Sequence, residues 1–170
     1  MVIGDGAVWI WNLADQHFPG AIQIVDLYHA REHLWKIAAW LHPNDSVAKK
    51  LWMTPMKDLL DGGEIESLIA CLRGIAAAQA IAQPDMAKEI LTEAEYFETN
   101  TERMRYPAFR TQGLFVGSGV IEAGCKAVIG ARLKRSGMFW TLRGANALIA
   151  LRCCRFNGRF EDYWEDSPAA

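Results

Sequence analysis

A single carboxylate lies in the middle of the most basic part of the sequence. Segment 103–159 contains eleven Lys and Arg residues, and Glu122 is its only acidic residue. Gly119, Gly124 and Gly130 surround it in a run that is otherwise typical of a helix, where each glycine costs about 1 kcal/mol relative to alanine. Glycines let a ligand or another backbone approach closely. An acid that binds Mg²⁺ among basic side chains that bind phosphates would suit a metal site acting on a phosphodiester.

Glu122 also has an ordinary interpretation. It would favour the dipole of a helix that begins near Ser118, or pair with Lys126 one turn later. Either interaction contributes only a few tenths of a kcal/mol; the ion pair contributes about 0.2–0.5 kcal/mol. Neither interaction explains the surrounding glycines, so the metal-site hypothesis stays open beside this one.

Asp5 is the second candidate acid. It follows a short apolar stretch, Met1–Gly4, and precedes Gly6 and a helical pattern. An Asp-Gly turn that also caps the helix is the ordinary interpretation. The alternative is a metal ligand at the carboxyl edge of a sheet, where the sites of α/β proteins usually lie.

The pattern His29-Ala-Arg-Glu32-His33 belongs to a different chemistry. Two histidines four residues apart share one face of a helix, and HxxEH matches the zinc motif of the inverzincin peptidases. The third zinc ligand of those peptidases would fall near Phe109 and Arg110, and neither residue is acidic. Asp26 could supply a ligand from one turn earlier. A zinc metallopeptidase is therefore a remote alternative.

Charge is distributed unevenly along the chain. Residues 1–102 carry seven basic and fifteen acidic side chains, whereas segment 103–159 has a balance of +10. This asymmetry predicts a basic surface for a polyanion, with nucleic acid as the commonest candidate. A basic face that docks on the acidic half is the alternative. The candidate DNA contacts are Lys126, Arg132, Lys134, Arg135 and Arg143, followed by Arg152, Arg155 and Arg159.

Composition and periodicity predict one α/β domain that is rich in helix. Strands are expected at 1–4 and 21–28, with a helix through 7–18 between them. Helices are expected at 29–41, 46–60, 64–82, 85–104, 118–134 and 141–155. Asp85 is the expected N-cap of the fourth of these, and the tryptophans are expected mostly in the core. Four cysteines without a CxxC pair and no long apolar run indicate a cytoplasmic protein with reduced thiols.

Several long stretches closely resemble the DDE transposases of bacterial insertion sequences. These stretches are VIGDGAVWIWNLADQHFPGAIQIVDLYHAREHLW, RMRYPAFRTQGLFVGSGVIEAGCK, MFWTLRGANALIALRC and GRFEDYWE. The ISKra type is the nearest group, and the Mutator-like enzymes are more distant. The resemblance extends over nearly the whole chain and is weakest between residues 41 and 85.

The resemblance implies an incomplete RNase H-like domain, with about two strands plus helices and an all-α insertion. Its parts would be 1–28 (strand–helix–strand), 29–106 (the insertion) and 107–170 (the last helices). Asp5 in GDG matches the second catalytic acid of the family, and Glu122 in GSGVIE matches the third. Both would bind two Mg²⁺ or Mn²⁺ ions, and Asp26 and His29 in DLYH would have an accessory role.

One departure from the family pattern limits the expected activity. The first acid of the family lies on an earlier strand, and this sequence begins four residues before Asp5. Two acids leave each metal ion with too few ligands. The expected protein is therefore a carboxyl-terminal fragment of a transposase, inactive alone in DNA strand cleavage and transfer, or a DNA-binding remnant without catalysis. DNA, in the form of transposon ends and target, is the expected partner at the nucleoid, with a homodimer as an open possibility.

Overall fold

The protein consists of two compact units. A computed structural model describes residues 1–161, and its contacts divide the chain into Met1–Ser118 and Gly119–Ala170. The sheet and the long helical segment both belong to the first unit. The predicted division at residues 28 and 106 therefore stays a prediction, and the two units are described separately below.

A small parallel sheet opens the first unit. Strands β1 (Val2–Gly4) and β2 (Gln23–Val25) pair in parallel, with Ile3 opposite Ile24, and helix α1 (Val8–His17) connects them. This strand–helix–strand unit confirms the predicted α/β character. Because the strands are parallel, their carboxyl ends lie at the same edge of the sheet.

The predicted second strand, 21–28, is longer than the observed one. Strand β2 ends at Val25 because the next residue, Asp26, caps helix α2 (Leu27–Leu41). Its side chain accepts hydrogen bonds from the first backbone N–H groups of the helix, which is the usual role of aspartate at an N-cap.

Four further helices complete the first unit, and they confirm the predicted helical segment. Helices α3 (Ser46–Asp61), α4 (Ile65–Gln79), α5 (Pro84–Thr99) and α6 (Tyr106–Thr111) follow α2, with a 3₁₀ turn at Thr101–Met104. The prediction that Asp85 caps the fourth helix of the segment is wrong. The N-cap of α5 is Gln83, and Pro84 occupies the first turn, where its missing N–H costs nothing.

The core of the first unit lies among β2 and the helices. Its fully buried side chains lie on the inward faces of α2, α4 and α5 and at the start of α6, and include Leu34, Ile37, Leu68, Leu72, Ile90, Phe97 and Tyr106. The expectation that the tryptophans are mostly core holds for only half of the described ones. Trp11 is buried and Trp40 and Trp52 pack against the core, whereas the side chains of Trp9, Trp35 and Trp140 are exposed.

The second unit is built from shorter helical pieces. Helix α7 (Gly119–Cys125), a π-helical turn at Lys126–Gly130 and α8 (Ala131–Leu133) form one run, and α9 (Leu142–Phe156) follows. Both predicted helices of this region are confirmed. No described residue of the unit is buried. Within residues 1–161, no helix is long and apolar enough to cross a membrane.

Candidate functional site

Asp5 lies directly after β1, at the carboxyl edge of the sheet. Its Oδ1 accepts a hydrogen bond from the backbone N–H of Ala7 at 2.9 Å, and its carbonyl oxygen accepts one from the Tyr96 hydroxyl at 2.9 Å. Gly6 has a φ of 99°, and a Cβ at this position would lie 2.6 Å from the Tyr96 ring. The turn at Asp5 therefore requires glycine at position 6 for two independent reasons.

Asp26 lies at the same edge, after β2, and its carboxylate is fully engaged. Oδ1 accepts from the backbone N–H groups of Tyr28 at 2.7 Å and His29 at 3.3 Å, and Oδ2 accepts from the N–H of Ser118 at 2.7 Å. Burial raises the pKa of Asp26, but the hydrogen bonds from Ser118, Tyr28 and His29 outweigh burial, so the net pKa is lowered. These contacts give Asp26 a structural task, and its predicted accessory role in catalysis stays a prediction.

The two histidines of the HAREH segment form the densest polar cluster of the first unit. The Nε2 atoms of His29 and His33 are 3.4 Å apart, and His29 Nδ1 lies 3.2 Å from a Glu32 carboxylate oxygen. His33 Nδ1 contacts the Glu93 carboxylate, and the His33 ring stacks on Tyr96 with centroids 3.8 Å apart. We call these five residues the histidine cluster.

Tyr96 connects the histidine cluster to the edge of the sheet. Burial raises the pKa of its hydroxyl above the usual range, and the negative charges of Asp5, Glu93 and Asp26 raise it further. The hydroxyl therefore stays protonated and donates to the carbonyl of Asp5. Through Tyr96, helix α5 thus holds the backbone at Asp5, the residue that is predicted to be catalytic.

Sequence reasoning missed Glu93 and Tyr96, which lie sixty or more residues away from the motifs they contact. The sequence did contain a signal that could have indicated Glu93. It occupies the same face of α5 as Ile90, Ala94 and Phe97, and all four are buried. An acidic residue within an apolar helical stripe indicates a buried partner, which is His33 in this chain.

Glu122 lies on α7 in the second unit and is exposed. A Cβ added at Gly119 or Gly124 would meet no described atom within 4 Å. Packing among the described residues therefore does not explain these two glycines. The run continues into the π-helical turn at Lys126–Gly130, a type of irregularity that is frequent at functional sites.

The predicted DNA contacts differ in how they are used. Arg152 donates from Nε to the carbonyl of Val128 at 2.9 Å and lies over the Phe156 ring, so it holds α9 against the preceding run. Arg135 donates to the carbonyl of Ala131 at 2.7 Å. The other four of the five candidates between Lys126 and Arg143 are exposed and have no ion pair with any side chain of residues 1–161: Lys126, Arg132, Lys134 and Arg143.

The described residues do not form a complete divalent-metal site. Within residues 1–161, no group of three or more His, Cys, Asp or Glu side chains is placed to hold an ion. Asp5 and Glu122 belong to different compact units, and one Asp5 oxygen already accepts a backbone hydrogen bond. The predicted pair of Mg²⁺ ions needs more oxygen ligands than these two acids provide.

Comparison with known proteins gives one partial similarity. The chain is 32% identical over 80 residues to a protein of Streptococcus gallolyticus described as "UPF0236 protein in vanSb 3′region". The match covers 47% of this chain but only 18% of the relative. No family model matches the chain. No solved structure matches it either.

Proposed function

We propose that this chain is part of a DDE-type DNA transposition protein and that its second unit binds DNA. The observation that carries the proposal is the set of exposed basic side chains on α7 to α9. Lys126, Arg132, Lys134 and Arg143 have no acidic partner within residues 1–161, although the whole chain carries twenty Asp and Glu.

Unpaired surface cations are the form in which a protein best binds a nucleic-acid backbone. DNA carries one negative charge per about 1.7 Å of helix axis, and each neutralised phosphate releases counterions. A cation that already has an internal carboxylate partner would have to break that pair first. The four side chains avoid this cost because they make no such pair within residues 1–161, whereas Arg152 is occupied by backbone carbonyls.

The first unit supports the more specific part of the proposal. A parallel strand–helix–strand unit with acids at its carboxyl edge suits the RNase H-like arrangement that the GDG and GSGVIE motifs imply. In this proposal Asp5 and Glu122 are the second and third acids of the family, and His29 is accessory to them. Mg²⁺ or Mn²⁺ would need at least one further carboxylate, so Asp5 and Glu122 alone are not expected to support strand cleavage.

The DNA-binding part is tested by salt-dependent fluorescence anisotropy with a labelled duplex. The double variant Arg132→Ala/Lys134→Ala removes two of the four cations. We expect about tenfold weaker binding at low salt, and a slope of log K against log[salt] that is smaller by up to about 2. Lys50→Ala/Lys88→Ala is the matched control, since it removes two exposed cations from the first unit and should leave both quantities nearly unchanged.

Two results would contradict the proposal. Binding that does not depend on salt would exclude a phosphate contact surface. An equal loss of affinity in the control variant would show that net charge alone, and not the second unit, determines retention of DNA.

A further inference from the structure

The geometry of the histidine cluster points to a ligand that no motif of a phosphodiester enzyme requires. His29 and His33 lie four residues apart on α2, with ring centroids 5.0 Å apart and rings nearly perpendicular. Their Nε2 atoms face each other at 3.4 Å. The question is what lies between these two nitrogens.

The carboxylates behind the rings determine the tautomers. A carboxylate only accepts hydrogen bonds, so the Nδ1 of His33, which is hydrogen-bonded to Glu93, carries the hydrogen. The Glu32 carboxylate, 3.2 Å from the Nδ1 of His29, favours the same tautomer in that ring. Each neutral ring then presents a lone pair at Nε2. In this tautomer two lone pairs at this distance repel each other, and a cation between them would relieve the repulsion: a proton on one ring or a metal ion shared by both.

The distance fits a metal ion. Nitrogens that each lie about 2.0–2.1 Å from a tetrahedral zinc ion are about 3.3–3.4 Å apart. The observed separation of the Nε2 atoms is 3.4 Å. Carboxylates on the opposite ring nitrogens are also the usual second layer of a histidine metal site, where they fix the tautomer and increase the basicity of the ligand.

The surroundings hold one ring firmly and leave the other accessible. The side chains of His33 and Glu93 are only 13% and 11% exposed, and Tyr96 packs against the His33 ring. The His29 side chain is 37% exposed, so an ion can enter from solvent. No third His, Cys, Asp or Glu within residues 1–161 completes a group, so water would provide the remaining ligands.

We propose that His29 and His33 form a two-histidine site for a borderline divalent cation, with Zn²⁺ as the representative ion. Imidazole ligands favour Zn²⁺, Ni²⁺ or Cu²⁺ over Mg²⁺, so the site is chemically distinct from the one predicted on Asp5 and Glu122. It does not depend on the proposed DNA-binding function, and it includes no peptide hydrolysis.

The test is Zn²⁺ titration of the full chain, followed by NMR of the imidazole nitrogens. The four cysteines are first alkylated, since thiols also bind zinc. We expect one equivalent of Zn²⁺ to shift the Nε2 signals of His29 and His33, and His29→Ala to weaken binding at least about tenfold. Glu93→Gln should weaken it about 10- to 100-fold, as loss of such a supporting carboxylate does.

His42→Ala is the matched control, because His42 lies at the end of the same helix and outside the cluster. The affinity of the His42→Ala variant for Zn²⁺ should equal that of the unchanged protein. Since His33 is partly buried, His29→Ala is the decisive variant, and its fold is checked by circular dichroism. The proposal is overturned if the Nε2 signals do not move at saturating Zn²⁺, or if His29→Ala binds Zn²⁺ as tightly as the unchanged protein. The two rings would then share a proton in place of a metal ion.

Discussion

The two compact units use their charged side chains in opposite ways. In Met1–Ser118, the buried charges are satisfied inside the unit: Asp26 accepts three backbone hydrogen bonds, and Glu93 contacts both His33 and Lys36. In residues 119–161, four of the basic side chains are exposed and lack an ion pair with any described side chain.

The same contrast holds for apolar side chains. The first unit contains a continuous buried core, whereas every described residue of the second unit is at least partly exposed. Exposed cations and the absence of buried apolar side chains among residues 119–161 leave this part of the chain available to a partner. The contrast is the basis for proposing that the first unit positions residues and the second unit contacts DNA.

The largest expected effect comes from comparing one leucine in each unit. Leu68 is fully buried in α4, and Leu148 is partly buried in α9. We expect Leu68→Ala to lower the free energy of unfolding by about 2–5 kcal/mol, because it removes buried methyl groups and leaves a cavity. Leu148→Ala should cost less than about 1.5 kcal/mol, since less apolar surface returns to water.

Urea denaturation followed by far-ultraviolet circular dichroism gives both values. Equal costs for the two variants would show that the second unit has a core of its own and would remove the basis of the comparison. A smaller loss of unfolding free energy for Leu68→Ala than for Leu148→Ala would reverse the comparison between the two units.

The second expected effect concerns the two aspartates that cap helices in the first unit. Asp45 caps α3 by accepting from Val47 and Ala48 at 2.9 Å, and its side chain is exposed. Asp26 is buried and also binds the N–H of Ser118. We expect Asp26→Ala to cost about 1–3 kcal/mol, because it leaves buried N–H groups without an acceptor. Asp45→Ala should cost about 1 kcal/mol, the usual loss of an N-cap.

The contribution of Asp26 to the stability of the fold decreases as the pH falls. Because its pKa is lowered in the folded chain, the ionised form stabilises folding above the ordinary pKa of about 3.9, and that contribution is lost as the pH falls below it. Stability measured between neutral and acidic pH should therefore decrease less in Asp26→Ala than in the unchanged protein. An identical decrease in both proteins would contradict the assignment.

The helices could be predicted from the sequence because each carries its own signal. The apolar residues of α5 repeat at helical spacing, and Pro84 marks the start of that helix. The end of β2 was predicted too late, since residues 21–28 are rich in the Ile and Val that favour a strand. A hydrogen-bonding side chain at Asp26 ended it instead, and local capping outweighed strand propensity.

The candidate site was predictable only where its residues are neighbours in the chain. Asp5 and His29 follow strands, and His33 follows His29 by one helical turn, so spacing alone indicates them. Glu93 and Tyr96 come from a distant helix, and no local pattern connects them to HAREH. The exposed Trp9 and Trp35 show a similar limit, because residue type alone does not reveal which face of a helix is covered.

The smallest expected effect is the sharpest test of the contrast between the units. Arg132→Ala/Lys134→Ala should change the free energy of unfolding by less than about 0.5 kcal/mol, because neither side chain has an ion pair with a described residue. Arg31→Ala should cost more, since Arg31 pairs with Asp61 and lies over the Tyr28 ring. Thermal unfolding at low and high salt measures both variants. A large loss of stability in the double variant would make these cations part of the scaffold, and it would remove the main support for a DNA-binding surface.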